Sequence, residues 1–326
     1  MESPRDQKRM FYGLRLFVLA VAFGLAAGCS SSNQNPSEKN DISQVLERSE
    51  ADLIFVAGGQ FKLGDIGNDS GGAFVPLQQN NKPPTAVVLD GFSIQSKEVT
   101  WADFLAYLHD VDRDEIYTVE SGFKNAVRIP IVANNDPLSP NFAEKPARSP
   151  NYSEAENYCE WLADKTGHPY ALPTEAQWEY AARNRGKSIA YATNNGKLEI
   201  DTYLQRSPVD PLVPVKGNVL IHSSFETERR PVGSYPPNPL GIHDMTGNVP
   251  EWTRDWYYPG FGHLDRVNPV ADDPNESEPD KKAVRDLAGY GDHSGGLATV
   301  YARRAVSVDS PNQGFRCVVN HPEPIN

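Results

Sequence analysis

Apolar side chains recur at helical spacing in three stretches of the chain. Behind Thr100, the residues Trp101, Phe104, Leu105 and Leu108 form one face, and Asp103 completes a partial capping box. Behind Ser153, with Glu156 three residues on, Ala155, Tyr158, Cys159 and Leu162 lie at i, i+3, i+4 and i+7. That spacing points Cys159 inward, and Gly167 is placed to end the helix. Behind Pro173, the pair Thr174 and Gln177 is a full capping box, and Trp178, Ala181 and Ala182 face inward. Arg183 and Arg185 then precede Gly186, where positive charge suits the end of a helix.

Between and around these helices the pattern is that of short strands. Leu53-Ile54-Phe55-Val56, a turn at Gly58-Gly59 and Phe61-Lys62-Leu63 read as strand, turn and returning strand. Val87-Val88-Leu89, Asp90-Gly91 and Phe92-Ser93-Ile94 repeat that signal. Beyond Gly186 the chain is loop-rich, with strand candidates at 282–284 and 315–319. The 27 Pro and 25 Gly agree with many turns and modest regular structure.

The N-terminus has a different pattern. Arg5, Lys8, Arg9 and Arg15 precede an uncharged apolar run from Leu16 to Ala27, then Gly28-Cys29-Ser30. The run holds 12 residues, whereas a membrane-spanning helix needs about 20. A basic region, an apolar region and a small-residue cleavage site make an export signal. Small residues before a cysteine resemble the bacterial lipoprotein signal, although Leu25 stands four residues before Cys29 where the usual pattern has it three before. That resemblance implies lipidation of Cys29 after removal of residues 1–28, and Ser30 suggests sorting to the outer membrane, facing the periplasm. In a plain secretory signal Cys29 would be incidental. Residues 30–50 are polar and read as a flexible tether. The expected organisation is therefore a signal peptide at 1–28, lipidated cysteine and tether at 29–52, a folded domain at 53–322 and a tail at 323–326.

Charge and cysteine count narrow the partners. The chain stands at −12, and the first 28 residues carry four cations against two anions, which leaves −14 for the remainder. An acidic surface disfavours nucleic acid and anionic lipid as partners. Of the 3 cysteines, lipidation of Cys29 leaves Cys159 and Cys317. In an oxidising compartment these pair or remain as two buried thiols.

No HExxH, CxxC, GxSxG or phosphate-loop pattern is present. The densest polar cluster runs from Asn238 to Trp256, where Asp244, Asn248, Glu251 and Asp255 crowd oxygen atoms into a loop bent by Gly241 and Gly247. Such a loop holds Ca²⁺, or its Asn and Asp side chains bond their own backbone in a turn.

Residues 230–238 (Arg-Pro-Val-Gly-Ser-Tyr-Pro-Pro-Asn) and 241–252 (Gly-Ile-His-Asp-Met-Thr-Gly-Asn-Val-Pro-Glu-Trp) resemble the signature of the formylglycine-generating enzyme family, the sulfatase-modifying factors. Residues 59–64, 92–100, 158–161, 172–183 and 314–317 match in the family's order, so the resemblance spans roughly Leu53 to Val319. It implies one loop-rich α+β domain, a variant of the C-type lectin fold, with Cys159 bridged to Cys317. It also implies structural calcium at the Gly-Asn-Val turn, on Asn248, Glu251 and the carbonyls of Thr246 and Val249. The family's oxidases bind copper through two further cysteines as thiolates, and soft sulfur is the ligand Cu(I) requires. Here the corresponding stretch begins Val284-Arg285-Asp286-Leu287-Ala288-Gly289-Tyr290, no cysteine lies between Cys159 and Cys317, and Pro250 replaces the family's usual Trp. No copper is expected. The resemblance therefore implies a binding or accessory module of the cell envelope, with a protein, peptide or glycan partner. The alternative is a periplasmic oxidoreductase-like enzyme with altered chemistry, of the kind that matures a secreted metabolite or siderophore. Its acid–base groups would come from Glu251, Asp255, His293 and Arg303.

Overall fold

The computed structural model describes residues 36–113, 135–137, 139, 141–148, 151–199, 217, 229–287, 298–311 and 313–325. In chain order these hold α1 (Pro36–Ala51), β1 (Leu53–Val56), β2 (Gly59–Leu63), β3 (Thr85–Leu89), β4 (Phe92–Gln95) and α2 (Trp101–Asp110). There follow α3 (Tyr152–Thr166), β5 (Tyr170–Ala171), α4 (Glu175–Ala182), β6 (Glu251–Trp256), β7 (Lys281–Arg285), β8 (Arg303–Ser307) and β9 (Val318–Val319). Three antiparallel sheets result, with strand orders β1-β4-β9-β5, β2-β3 and β6-β7-β8.

The first two strand–turn–strand signals do not fold as hairpins. The strands form where the alternation places them, but β1 pairs with β4 and β2 with β3. One register runs through both pairs, from Leu53 opposite Gln95 to Leu63 opposite Thr85. The result is a single ribbon that bends at Gly58 and Gly91 and contributes each half to a different sheet. A Cβ on Gly58 would sit 2.3 Å from the Leu89 carbonyl oxygen, and one on Gly91 would sit 2.5 Å from that of Pro322. These glycines are required by close backbone approach at a bend rather than by a tight turn. Along β3 the side chains alternate between buried and exposed, so half of the ribbon faces the core.

The capped helices form as the spacing predicts, with one shift. Thr100 caps α2, accepting the Asp103 N–H, and Thr174 caps α4 in a two-way box with Gln177. For α3 the cap is Asn151, which accepts the Glu154 N–H, and Ser153 lies inside the helix. Starting there brings Tyr152 into the first turn, where it is buried against the edge of Trp252. Gly167 ends α3 at a φ of 74°. One core cluster joins α2 and α3 to Phe315, Cys317 and Val319, and contains the Cys159–Cys317 disulfide expected from the resemblance. A second lies between the ribbon, α4 and the loop around Ile242, Met245 and Phe261.

The flexible tether expected up to residue 52 is corrected. Residues 36–51 form α1, and Val45 is 1% exposed with Ile42 and Leu46 packed beside it. The reason is a short apolar stripe, Ile42, Val45 and Leu46, inside an otherwise polar segment. Arg48 pairs with Asp103 of α2 at 2.6 Å, and the Tyr170 hydroxyl donates to the Ser49 carbonyl. Burying Val45 alone contributes about 2 kcal/mol. A chain starting at Leu53 should therefore unfold at lower urea than one starting at Pro36, with an unfolding free energy smaller by at least that amount. Equal midpoints and slopes would return residues 36–51 to the status of a tether.

Candidate functional site

The loop from Asn238 to Pro250 is held by its own polar side chains and leads directly into β6. Asn238 accepts the N–H groups of Leu240 and Ile242, and its amide donates to the Ala181 carbonyl. Asp244 and Asn248 take left-handed φ values of 58° and 61°. Asp244 accepts the Gly233 N–H at 2.7 Å, and Asp286 accepts that of Gly247 at 2.8 Å. The turn is thus tied to the 229–235 segment and to the residue following β7.

Glu251, the first residue of β6, is fully buried. Its carboxylate accepts from Trp178 Nε1 at 2.9 Å and from Arg316 Nη2 at 2.6 Å and Nε at 2.9 Å. Arg316 also donates to the carbonyls of Gln95 and His243. Asp244 and Glu98 complete this group. Burial pushes the Glu98 carboxyl well above its ordinary pKa, with Asp244 adding to the effect, and burial likewise raises Asp244. Glu98 Oε1 accepts from the Asn248 amide at 3.1 Å, whereas Oε2 is buried without a hydrogen-bond partner, 3.9 Å from Arg316 Nη2.

This geometry changes the set expected to hold calcium. The Asn248 oxygen accepts the Arg230 N–H, and its amide nitrogen, a donor, faces Glu98. The side chain therefore points no oxygen at the acidic group. Among the described residues, no three His, Cys, Asp or Glu side chains are grouped as ligands of one metal. The oxygen lacking a partner belongs to Glu98, which sequence reasoning passed over. Its signal was an acidic residue just before a capped helix, in Lys97-Glu98-Val99-Thr100, followed far along the chain by Arg316 in Gly-Phe-Arg-Cys.

The remaining catalytic candidates are set in a second buried network. Glu175 and Glu179 lie one turn apart on α4. Arg303 and Arg285 both bond Glu175, and Arg285 and Arg183 each reach Glu179 at 2.7 Å. Burial alone would raise Glu175, but the two guanidinium groups outweigh it and hold it below the usual range. Arg303 also donates to the carbonyls of Asn80 and Tyr258 and lies against the rings of Tyr257 and Phe261. Asp255 accepts the N–H groups of Glu175 and Ala271. Glu251, Asp255 and Arg303 are thus brought into the interior but line neither of two surface clefts. One cleft, of about 880 Å³, opens between α1, α2 and the Lys97–Thr100 segment, with Glu98 in its wall. The other, of about 360 Å³, lies beside Asp90, Gln177 and Arg254. His293 and Cys29 lie outside the described residues.

Comparison with known proteins adds the following. The model of the sulfatase-modifying factor enzyme 1-like domain matches residues 38–321. The serine/threonine-protein kinase Pkn1 of Chlamydia trachomatis serovar L2 is 30% identical over 222 residues, covering 68% of this chain and 30% of the kinase. The chain thus spans under a third of the length of the chlamydial kinases it matches. The chaperone protein LppX of Paenibacillus barcinonensis is 28% identical over 257 residues, covering 74% of this chain and 80% of LppX. Among solved structures, PvdO of Pseudomonas aeruginosa superposes with a TM-score of 0.60 at 21% identity, over 82% of this chain and 94% of PvdO, a likeness of fold.

Asp255 gives this arrangement a pH dependence. Burial, reinforced by Glu175, pushes its carboxyl from 3.8 up to about 7. The folded state then binds the Asp255 proton more tightly than the unfolded chain. Its stabilising contribution is complete below about pH 4, declines as pH rises and is lost above about 7. Urea unfolding from pH 4.5 to 8 should show a decline that is shallower in the Asp255→Asn variant, where the raised carboxyls of Glu98 and Asp244 remain. Parallel profiles for the two proteins would mean that Asp255 stays ionised throughout.

Proposed function

The chain belongs to the sulfatase-modifying factor enzyme 1-like family, and from that premise we propose that it is a binding or accessory module of the bacterial envelope, anchored by lipid at Cys29. One observation carries the reading. The family's copper chemistry needs a pair of thiolates, and here Cys159 and Cys317 are joined to each other with no cysteine between them. Of the groups that sequence suggested for other chemistry, Glu251 and Arg303 are committed to buried ion pairs and Asp255 to two backbone N–H groups, and none of the three lines either cleft. The likeness to LppX, called a chaperone and matched over most of its length, agrees with an accessory role. The placement is the outer membrane, on the periplasmic side, with an envelope protein, peptide or glycan as partner and no nucleic acid.

Stoichiometry separates this module from the alternative enzyme. For a secreted protein encoded beside it, the yield of folded product should saturate at about one domain per client, and the client should leave chemically unchanged. A client or metabolite altered in mass, with many molecules converted per domain, would overturn the reading in favour of the oxidoreductase-like enzyme.

Structural calcium belongs to the same proposal, with a revised set of ligands. Glu98, Asp244 and Glu251 place three carboxyl groups around Arg316, and two of them are pushed toward the protonated form. A divalent cation at Glu98 Oε2 would supply positive charge there, with Glu251 and main-chain oxygens such as those of Thr246 and Val249 completing the oxygen set. Millimolar CaCl₂ should raise the melting temperature of the native chain but not that of Glu98→Gln. In EDTA the variant should melt no lower than the native protein, because it keeps the oxygen that accepts from Asn248 and replaces a buried carboxylate oxygen that has no hydrogen-bond partner. An equal response of both proteins to CaCl₂ would place calcium elsewhere.

A further inference from the structure

α1 sets how far the folded domain can stand from a membrane. The helix runs from Pro36 to Ala51, and β1 starts at Leu53, so Asp52 is the whole joint between them. That joint is itself fixed. Ser96 donates to the Asp52 carboxylate at 2.6 Å, the Ser96 N–H bonds the Asp52 carbonyl at 2.9 Å, and Lys97 lies 3.5 Å from the carboxylate. Farther up the helix, Arg48 is paired with Asp103, and Val45 is buried in the core with Ile42 and Leu46 against it. The helix is therefore seated along one side and continuous with the first strand, leaving no slack between helix and sheet.

We propose that α1 turns the tether into a short leash that holds the domain against the bilayer. The proposal rests on the reading of Cys29 as the lipid anchor. Between Cys29 and Pro36 stand six residues, Ser30 to Asn35, which span at most about 20 Å when fully extended. A tether running free to Asp52 would span about 80 Å. A domain of this length is about 50 Å across. The long tether would let the domain turn freely and work a full diameter away from the lipid. The short one keeps the base of α1 within half a diameter of the headgroups. Any partner must then come within about one domain's width of the bilayer, which suits a membrane-inserted or lipid-anchored protein. The acidic charge of the mature chain opposes contact with anionic lipid, so the leash rather than surface attraction maintains the proximity.

The distance can be measured without waiting for lipidation in the cell. Residues 29–326 would be produced with an unmodified Cys29, the one thiol left by the Cys159–Cys317 bridge. Coupling that thiol to a maleimide lipid in a supported bilayer mounts the domain, and neutron reflectometry reads the water gap beneath it. The native chain should give a sharp protein layer with a gap of no more than about 20 Å. A variant with 17 Gly/Ser residues inserted after Asn35 keeps α1 seated and restores the long tether, and its layer should be broader and farther out. The Val45→Asp/Leu46→Asp variant, which unseats α1, should resemble the insertion variant, provided its near-ultraviolet circular dichroism stays native-like. A native layer as broad as that of the insertion variant overturns the leash. The anchor itself is tested separately in cells. Incorporation of an alkyne-labelled fatty acid that is lost in Cys29→Ser supports it, and absence of label from the native chain overturns it whatever the reflectometry shows.

Discussion

The centre of this protein depends on one buried guanidinium finding all its partners at once. Arg316 stands next to the bridged Cys317, and its bonds reach Glu251 at the start of β6, the carbonyl of Gln95 in β4 and the carbonyl of His243 in the 238–250 loop. A charge moved from water to such a site costs several kcal/mol unless it is paired and fully hydrogen-bonded. That cost dictates the shape of the loop. Its left-handed turns at Asp244 and Asn248, and the ties from Asp244 to Gly233 and from Gly247 to Asp286, deliver Glu251 and the His243 carbonyl to Arg316 together. The signature residues of the family are, in this chain, the means by which a loop becomes as fixed as a strand.

The same logic recurs along α4. Two acidic residues a turn apart are clamped by arginines arriving from β7, from β8 and from the end of the helix itself. Sheets of two to four short strands offer little backbone pairing, so buried ion pairs and the disulfide take over the task of specifying which segments meet. Each pair is unforgiving, because removing one partner leaves an uncompensated buried charge. Residues bound in this way are poor candidates for proton transfer to a ligand. Polar groups near a solvent-filled space, by contrast, cluster around Glu98 and the cleft beside α1 and α2.

Legibility in the sequence followed the range of the interaction. Local signals were read correctly where capping and apolar spacing lie within a few residues, as at Thr100 and Thr174. Asn151 was missed because Ser153 and Glu156 offer an equally good local pattern, and only the burial of Tyr152 decides between them. The ribbon defeated local reading altogether. A glycine pair between two alternating runs is the mark of a hairpin, yet the selection at Gly58 comes from the Leu89 backbone across the ribbon. α1 hid behind the polar composition of its segment, with an apolar stripe three residues long. The partnership of Glu98, Asp244 and Glu251 around Arg316 spans more than two hundred positions, and no spacing rule reaches so far.

The position of α1 links the reach of the domain to its surface. Gln44, Val45, Arg48 and Ser49 of this helix form one wall of the 880 Å³ cleft, and α2 with Lys97 and Glu98 forms the other. The segment proposed to limit distance from the membrane is therefore also part of the cleft in whose wall Glu98 stands. Unseating α1 would remove both the wall and the leash at once. If lipid is attached at Cys29, a partner that enters this cleft must do so within about one domain's width of the bilayer. A scaffold without the further cysteine pair of the family's oxidases would then act through position and shape, with its ion-paired core serving to keep that shape fixed.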